Sequence, residues 1–185
     1  MNQNLWFALL FFLPAGLANV TPIFASQVPL LKNLNTPLDF NSSIKGKRLF
    51  GDNKTWRGVF TGVFVGVLAS MLQMYMFNHN NWIRTIAYPI NYSHYSVLIL
   101  GALLSFGALS GDAIESMVKR QLRVKSGDSW FPFDQLDYVI GGILFSLIYI
   151  RLPLANYLWI LVIWFSMHMI FSYFGYVLKL KAKPI

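Results

Sequence analysis

Residues 95–120 read YSVLILGALLSFGALSGDAIESMVKR: an apolar run that meets no charge before Asp112 and then carries Glu115, Lys119 and Arg120. About 20 mostly apolar residues suffice for a helix to cross a bilayer, so Tyr95–Val118 is expected to span one. On that helix Asp112, Glu115, Ser116 and Lys119 fall at i, i+3, i+4 and i+7 and share one face. Carboxylates at the edge of a membrane core are costly and tend to mark function. The plainer alternative is an interfacial helix end laced by a Glu115–Lys119 pair.

The rest of the chain follows the same pattern. It is 56% hydrophobic and only 12% charged, about half the charged fraction of an ordinary soluble domain. Four further apolar segments are expected to span, at 5–28, 58–77, 136–150 and 156–178. The expected fold is therefore all-α and membrane-embedded, one domain over 1–185 with about five transmembrane helices. At 1.5 Å per residue the segment 136–150 covers roughly 22 Å, less than a hydrocarbon core of about 30 Å. Asp134 and Asp137 at its start are therefore expected close to the membrane surface or in a polar cavity just below it.

Charge sets the orientation. Lys32, Lys45, Lys47, Arg48, Lys54 and Arg57 border the first linker. Lys119, Arg120, Arg123 and Lys125 follow the third span, and Lys179, Lys181 and Lys183 follow the fifth. With five spans all of these share one side, and only Arg84 and Arg151 take the other. The positive-inside rule makes the rich side cytoplasmic, with the N-terminus outside and the C-terminus inside. The net charge of +8 is then assigned to topology and lipid headgroups, not to nucleic acid. Met1-Asn2-Gln3-Asn4 has no basic n-region, so no cleaved signal peptide is expected. Zero cysteines exclude disulfides and thiolate chemistry.

All seven acidic residues lie in or beside two polar stretches, both on the expected cytoplasmic side. Asp134 and Asp137 stand at i, i+3; helix capping by Asp134 and cation binding both fit that spacing. Two carboxylates brought together repel unless a cation joins them, and Mg²⁺ takes oxygen ligands alongside substrate phosphate. Lys119 and Arg120 suit phosphate oxygens. Between Gly46 and Gly58 the sequence GKRLFGDNKTWRG mixes glycines with Lys54, Thr55 and Arg57. It suits phosphate or anionic lipid alike, and it is not a P-loop. The 29–56 linker is the longest polar segment and is expected to be flexible. Pro14 and Pro22 flank Asn19 in the first span, where a proline kink is expected. Gly58, Gly62 and Gly66 recur every four residues, a close-packing stripe. Trp82, Tyr92 and Tyr157 are expected in interfacial belts.

Taken in order, these pieces resemble the CDP-archaeol synthases, small integral-membrane relatives of phosphatidate cytidylyltransferases. The resemblance rests on Pro14-Ala15-Gly16-Leu17-Ala18-Asn19 through Pro22 and on Pro37-Leu38-Asp39. It continues with Arg48 through Gly58, Gly111-Asp112-Ala113-Ile114-Glu115-Ser116 with Lys119-Arg120, and Gly127-Asp128-Ser129 leading to Asp134 and Asp137. In the first span Gly16-Leu17 intervene where the family reads Pro-Ala-Asn. The Gly-His-Gly-Gly stretch of the acyl-lipid enzymes is absent.

The resemblance implies attack of a membrane lipid phosphate on the α-phosphorus of CTP, with an ether-linked isoprenoid acceptor and Mg²⁺ as cofactor. It implies Asp112, Glu115, Asp134 and Asp137 as metal ligands. Asp112, Asp137, Lys119 and Arg120 would serve catalysis, and Asn19, Asp39, Asp52, Lys54, Arg57 and Ser116 would contact nucleotide or lipid phosphate. Partners would be CTP and membrane lipids, with a homodimer left open. Two alternatives remain from sequence: an acyl-lipid acceptor, and a non-enzymatic anion-binding protein or transporter. A transporter would more often carry inverted repeats and midplane polar residues; here the charges crowd at one face.

Overall fold

The structure is a computed structural model that describes residues 3–44, 46–124 and 128–179. Lys45, Lys125, Gly127, Lys181 and Lys183 lie outside the described residues. The described chain forms α1 (Gln3–Ala25), α2 (Trp56–His79), a short α3 (Asn81–Ala87), α4 (Val97–Gln121), α5 (Phe133–Ser146) and α6 (Leu154–Val177). Among them α1, α2, α4 and α6 are long and apolar enough to cross a membrane.

The expected span at 136–150 is α5, which starts earlier, at Phe133, and stops earlier, at Ser146. Its 14 residues rise about 21 Å, which is short of the core thickness. The chain nevertheless runs on to the far end of the bundle, where the Tyr149 hydroxyl accepts from the Ser96 amide at 2.8 Å, at the N-cap of α4.

Small residues decide how closely the helices approach. Along α2, Gly58 faces Pro22, Gly62 faces the Ala18 carbonyl, and Gly66 faces the Pro14 carbonyl and Ser105. The four-residue stripe is thus the antiparallel seam of α2 with α1 and α4, as its spacing suggests. Gly107 and Gly111 of α4 meet Gly141 and Asp137 of α5 backbone to backbone. Phe7, Phe11, Phe12, Leu100, Leu104, Val139 and Ile160 fill the buried core. Within it Trp164 Nε1 donates to Ala8 O at 2.9 Å and Tyr138 Oη donates to Trp164 O at 3.0 Å. These bonds satisfy polar atoms that no water reaches.

α1 continues through Pro14 and Pro22 without a break. Pro14 has no amide hydrogen for the Leu10 carbonyl, and the Gln73 side-chain amide donates to that carbonyl instead. Gln73 is 3% exposed, so a polar residue of α2 repairs a defect in α1.

Two further expectations are corrected. The linker 29–56 is folded: a 3₁₀ turn at Pro29–Leu31 precedes a two-stranded hairpin, β1 (Ser43–Ile44) with β2 (Lys47–Arg48), and Pro37 bridges to Thr55. The hairpin is clasped by a buried carboxylate described below. Tyr92 is not interfacial; it is buried against Phe77, with ring centroids 5.6 Å apart. Tyr157 turns its hydroxyl to the Leu152 amide, closing the turn before α6.

Candidate active site at one end of the bundle

The C-terminal ends of α1 and α4 and the N-terminal ends of α2 and α5 come together because these neighbours run antiparallel. Asn19 of α1, Arg57 of α2, the charged end of α4 and Asp134 and Asp137 of α5 gather there. Thr55 starts α2: its Oγ1 accepts from the Gly58 amide at 3.2 Å. This N-cap fixes Lys54 just before the helix and Arg57 in its first turn.

Lys54 Nζ donates to Asp112 Oδ2 at 2.6 Å, joining the linker to α4. Two turns further along α4, Lys119 joins α4 to α5. Its Nζ lies 2.9 Å from Asp134 Oδ1 and 3.5 Å from Glu115 Oε1, and it donates to Asp128 O at 2.9 Å. Lys119 and Glu115 side chains are each 9% exposed. Asp134 does not cap α5, whose N-cap is Pro132 without a side-chain bond. Its Oδ2 instead accepts from the Trp130 amide at 2.8 Å, closing the preceding turn. Asp137 Oδ1 accepts from its neighbour, the Tyr138 amide, at 2.6 Å.

These groups line two adjoining cavities. A smaller one of about 350 Å³ gathers Asp112, Glu115, Asp134 and Asp137 with Lys119 and Arg120. A larger one of about 780 Å³ gathers Asn19, Lys32 and Arg57 with apolar Pro22, Ile23 and Leu109. Asp52, Asn53, Lys54 and Asp112 border both, so the Lys54–Asp112 pair stands at the partition. Arg120 Nη1 donates to Val124 O at 3.2 Å, and its buried Nε has no partner among the described residues.

The donor set fits an oxygen-seeking divalent cation. Glu115 Oε1 is buried without a hydrogen bond, and four carboxylates face one small cavity. Among the described residues no three acidic or histidine side chains group closely enough to cage an ion alone. Mg²⁺ needs only one or two carboxylates when substrate phosphates and water complete its shell.

Ser116 and Asp52 line the smaller cavity while also holding the linker, and Asp39 takes a different place. Asp39 faces neither cavity: its side chain is fully buried and accepts from Arg48 Nη2 at 2.8 Å, Arg48 Nε at 3.2 Å, and the Phe50 and Asn41 amides at 3.1 Å each. Burial opposes its ionisation, yet the Arg48 and backbone hydrogen bonds prevail and hold its pKa at about 2. The same bond to Asp39 raises the Arg48 guanidinium. Asp39 is thus the clasp of the hairpin. Ser116 donates to Phe50 O at 2.7 Å and ties the linker to α4. Asp52, largely exposed, holds Arg48 at 2.7 Å. Sequence reading missed Lys32, Asn35 and Asn53 at the larger cavity. Lys32 and Asn35 carry no local signal, since only the folded linker brings them there. Thr55 before an apolar run is a recognisable N-cap.

Fold and site together define a helical, membrane-embedded protein whose carboxylates and basic side chains gather around cavities at one end. The chain belongs to the CDP-archaeol synthase family: the CarS-like profile of that family matches residues 1–185. A CDP-archaeol synthase of Methanoculleus marisnigri is 35% identical over 158 residues, 80% of this chain and 89% of the relative. One from Pyrococcus abyssi is 33% identical over 163 residues, covering 87% and 90%. One from Thermococcus gammatolerans is 32% identical over 184 residues, covering 98% and 97%. A solved structure described as an intramembrane enzyme for archaeal membrane lipids biosynthesis superposes with TM-score 0.67 at 26% identity, over 89% of this chain and 92% of that one.

Proposed function

We propose that this protein transfers CMP from CTP to a membrane lipid phosphate, giving a CDP-lipid and pyrophosphate, with a geranylgeranyl-ether glycerol phosphate as acceptor. The observation that carries the reading is the meeting of Asp112, Glu115, Asp134 and Asp137 with Lys119 and Arg120 around one cavity, in a chain of this family.

An oxygen of the acceptor's phosphate monoester forms a new bond to the α-phosphorus of CTP. The bond from that phosphorus to the α–β bridging oxygen breaks, and pyrophosphate leaves with the electron pair. The monoester's second pKa is near 6, so the nucleophile is already a dianion at neutral pH and needs no general base. Catalysis is then positioning plus charge neutralisation. Lys119 and Arg120 hold phosphate oxygens beside the small cavity, and Lys54 stands at the partition where the bond exchange falls. Asp112, Glu115, Asp134 and Asp137 are the residues that would hold Mg²⁺. When bound, that ion would neutralise charge on the triphosphate and the leaving group.

The site end faces the cytoplasm in this reading. Among the described residues, Lys32, Lys47, Arg48, Lys54, Arg57, Lys119, Arg120, Arg123 and Lys179 all belong to segments at that end, while Arg84 and Arg151 belong to the other. α5 with its following turn makes a fifth crossing, supported by the Ser96–Tyr149 bond at the far end.

The test is pyrophosphate release by the purified protein in detergent with CTP and Mg²⁺, comparing the ether lipid phosphate with phosphatidic acid. Turnover with the ether lipid is expected. Turnover with phosphatidic acid alone would move the acceptor to acyl lipids, and silence with both would leave only an anion-binding membrane protein.

A further inference from the structure

Arg57 is the one described arginine at the site that is nine-tenths buried, at 9% exposure. Among the described residues it has no carboxylate partner. Its Nη1 donates to Leu31 O at 3.2 Å, and its Nε is buried with no hydrogen-bond partner among the described residues. A buried guanidinium without a counter-charge is costly, and a wall position in the larger cavity leaves an anion there as the group that would complete it. Arg120, whose Nε is likewise buried without a partner among the described residues, lines the smaller cavity instead. Lys54 is taken by Asp112, and Lys119 by Glu115 and Asp134.

The larger cavity also has the chemistry of an amphiphile's headgroup site. Pro22, Ile23, Val59 and Leu109 line it beside Arg57 and Lys32. Ile23 is 63% exposed on the outer surface of α1, a helix that lies in lipid, so the cavity wall reaches the bilayer. The smaller cavity is lined chiefly by carboxylates, Lys119 and Arg120. In-line displacement puts the attacking and leaving groups on opposite sides of the phosphorus. With the pyrophosphate end of CTP on the Lys119–Arg120 side of the Lys54–Asp112 partition, the attacking phosphate comes from the Arg57 side.

We infer that the larger cavity is the acceptor site and that Arg57, assisted by Lys32, grips the phosphate monoester of the lipid rather than the nucleotide. The inference rests on the transferase reading above. Arg57 presents a planar fork to that phosphate and orients the attacking oxygen toward the partition. Lys32 adds a point charge from the folded linker.

The experiment uses the full-length protein in detergent, as wild type, R57K, R57Q and K32Q. Initial rates are measured against the ether lipid phosphate at saturating CTP, and against CTP at saturating lipid. CTP binding without lipid is measured by calorimetry. R57Q is expected to raise the KM for the lipid phosphate tenfold or more while the Kd for CTP stays within twofold. R57K, with charge but no fork, is expected to fall between, and K32Q to raise the lipid KM a few-fold. A rise in the KM or Kd for CTP with the lipid KM unchanged would overturn the assignment and give Arg57 to the nucleotide. An unchanged lipid KM in both R57K and K32Q would overturn it equally, even if R57Q does not fold. Wild-type protein that binds CTP but turns nothing over would sink the transferase reading itself, and the assignment with it.

Discussion

Gly111→Ala drives a wedge between the two helices that carry the carboxylates. A methyl group at Gly111 would lie 2.2 Å from the Asp137 carbonyl oxygen and 2.9 Å from its carbon, with Gly141 Cα at 3.2 Å. Ordinary contact begins near 3.4 Å, so the shortfall at the oxygen is 1.2 Å. All three obstacles are backbone atoms of α5, so no side chain can rotate away; the helices must part. Overpacking of this kind costs roughly 1–3 kcal/mol. The functional cost is larger, because the strain falls between Asp112, the next residue, and Asp137, the residue struck. A displacement of about 1 Å near reacting groups can cost on the order of 10²-fold in rate. The assay is CTP-dependent pyrophosphate release alongside thermal unfolding of the same detergent sample. Gly142→Ala is the control on α5: its methyl would meet the Phe12 ring at 2.6 Å, while the Leu104 carbonyl lies at 3.4 Å. A ring can shift, so this variant is expected to lose some stability and keep activity within several-fold. A Gly111→Ala protein that melts and turns over like wild type would refute this wedge between α4 and α5.

Further outcomes follow from the same contacts. Lys119→Met removes a buried cation from between Glu115 and Asp134; breaking such a pair costs about 3–5 kcal/mol. Its melting temperature should drop well below wild type, and millimolar Mg²⁺ should recover more of the loss than it adds to wild type. Asp112→Asn should lower turnover at least 10²-fold while the protein still folds; full activity would remove Asp112 from the site. Gln73→Leu leaves the Leu10 carbonyl without a donor beside Pro14. In membranes such bonds contribute about 0.6 to 2 kcal/mol, to be read as a lower melting temperature with unchanged KM values. Asp39 has a depressed folded-state pKa, so its contribution is fully present above pH 3.8 and is lost as pH falls toward 2. Wild type should therefore lose linker order, followed by proteolysis or hydrogen exchange, between those values. Asp39→Asn should start from a lower plateau and show a flatter acid transition.

The sequence by itself determined the class of fold, because long apolar runs have few ways to satisfy their backbones in lipid and helices are the local one. It also determined where charge gathers: carboxylates so near a membrane core must be compensated, and the i, i+3 and i+7 spacing of Asp112, Glu115 and Lys119 fixes a shared face without tertiary information. The Gly58–Gly62–Gly66 stripe was legible for the same reason. Tertiary structure decided what each polar group does. Asp39 and Asp112 look alike in sequence, yet one is sealed inside the linker by Arg48 and the other stands at the partition with Lys54. Gln73 completes a hydrogen bond that Pro14 left open on another helix, a pairing of residues 63 apart in the chain. Asp134 escaped its expected capping role because Lys119 and the Trp130 amide claim it. The two cavities form only where four helix ends and the linker converge. Local spacing encodes a face, whereas a site between helices depends on long-range approach, which no local pattern specifies.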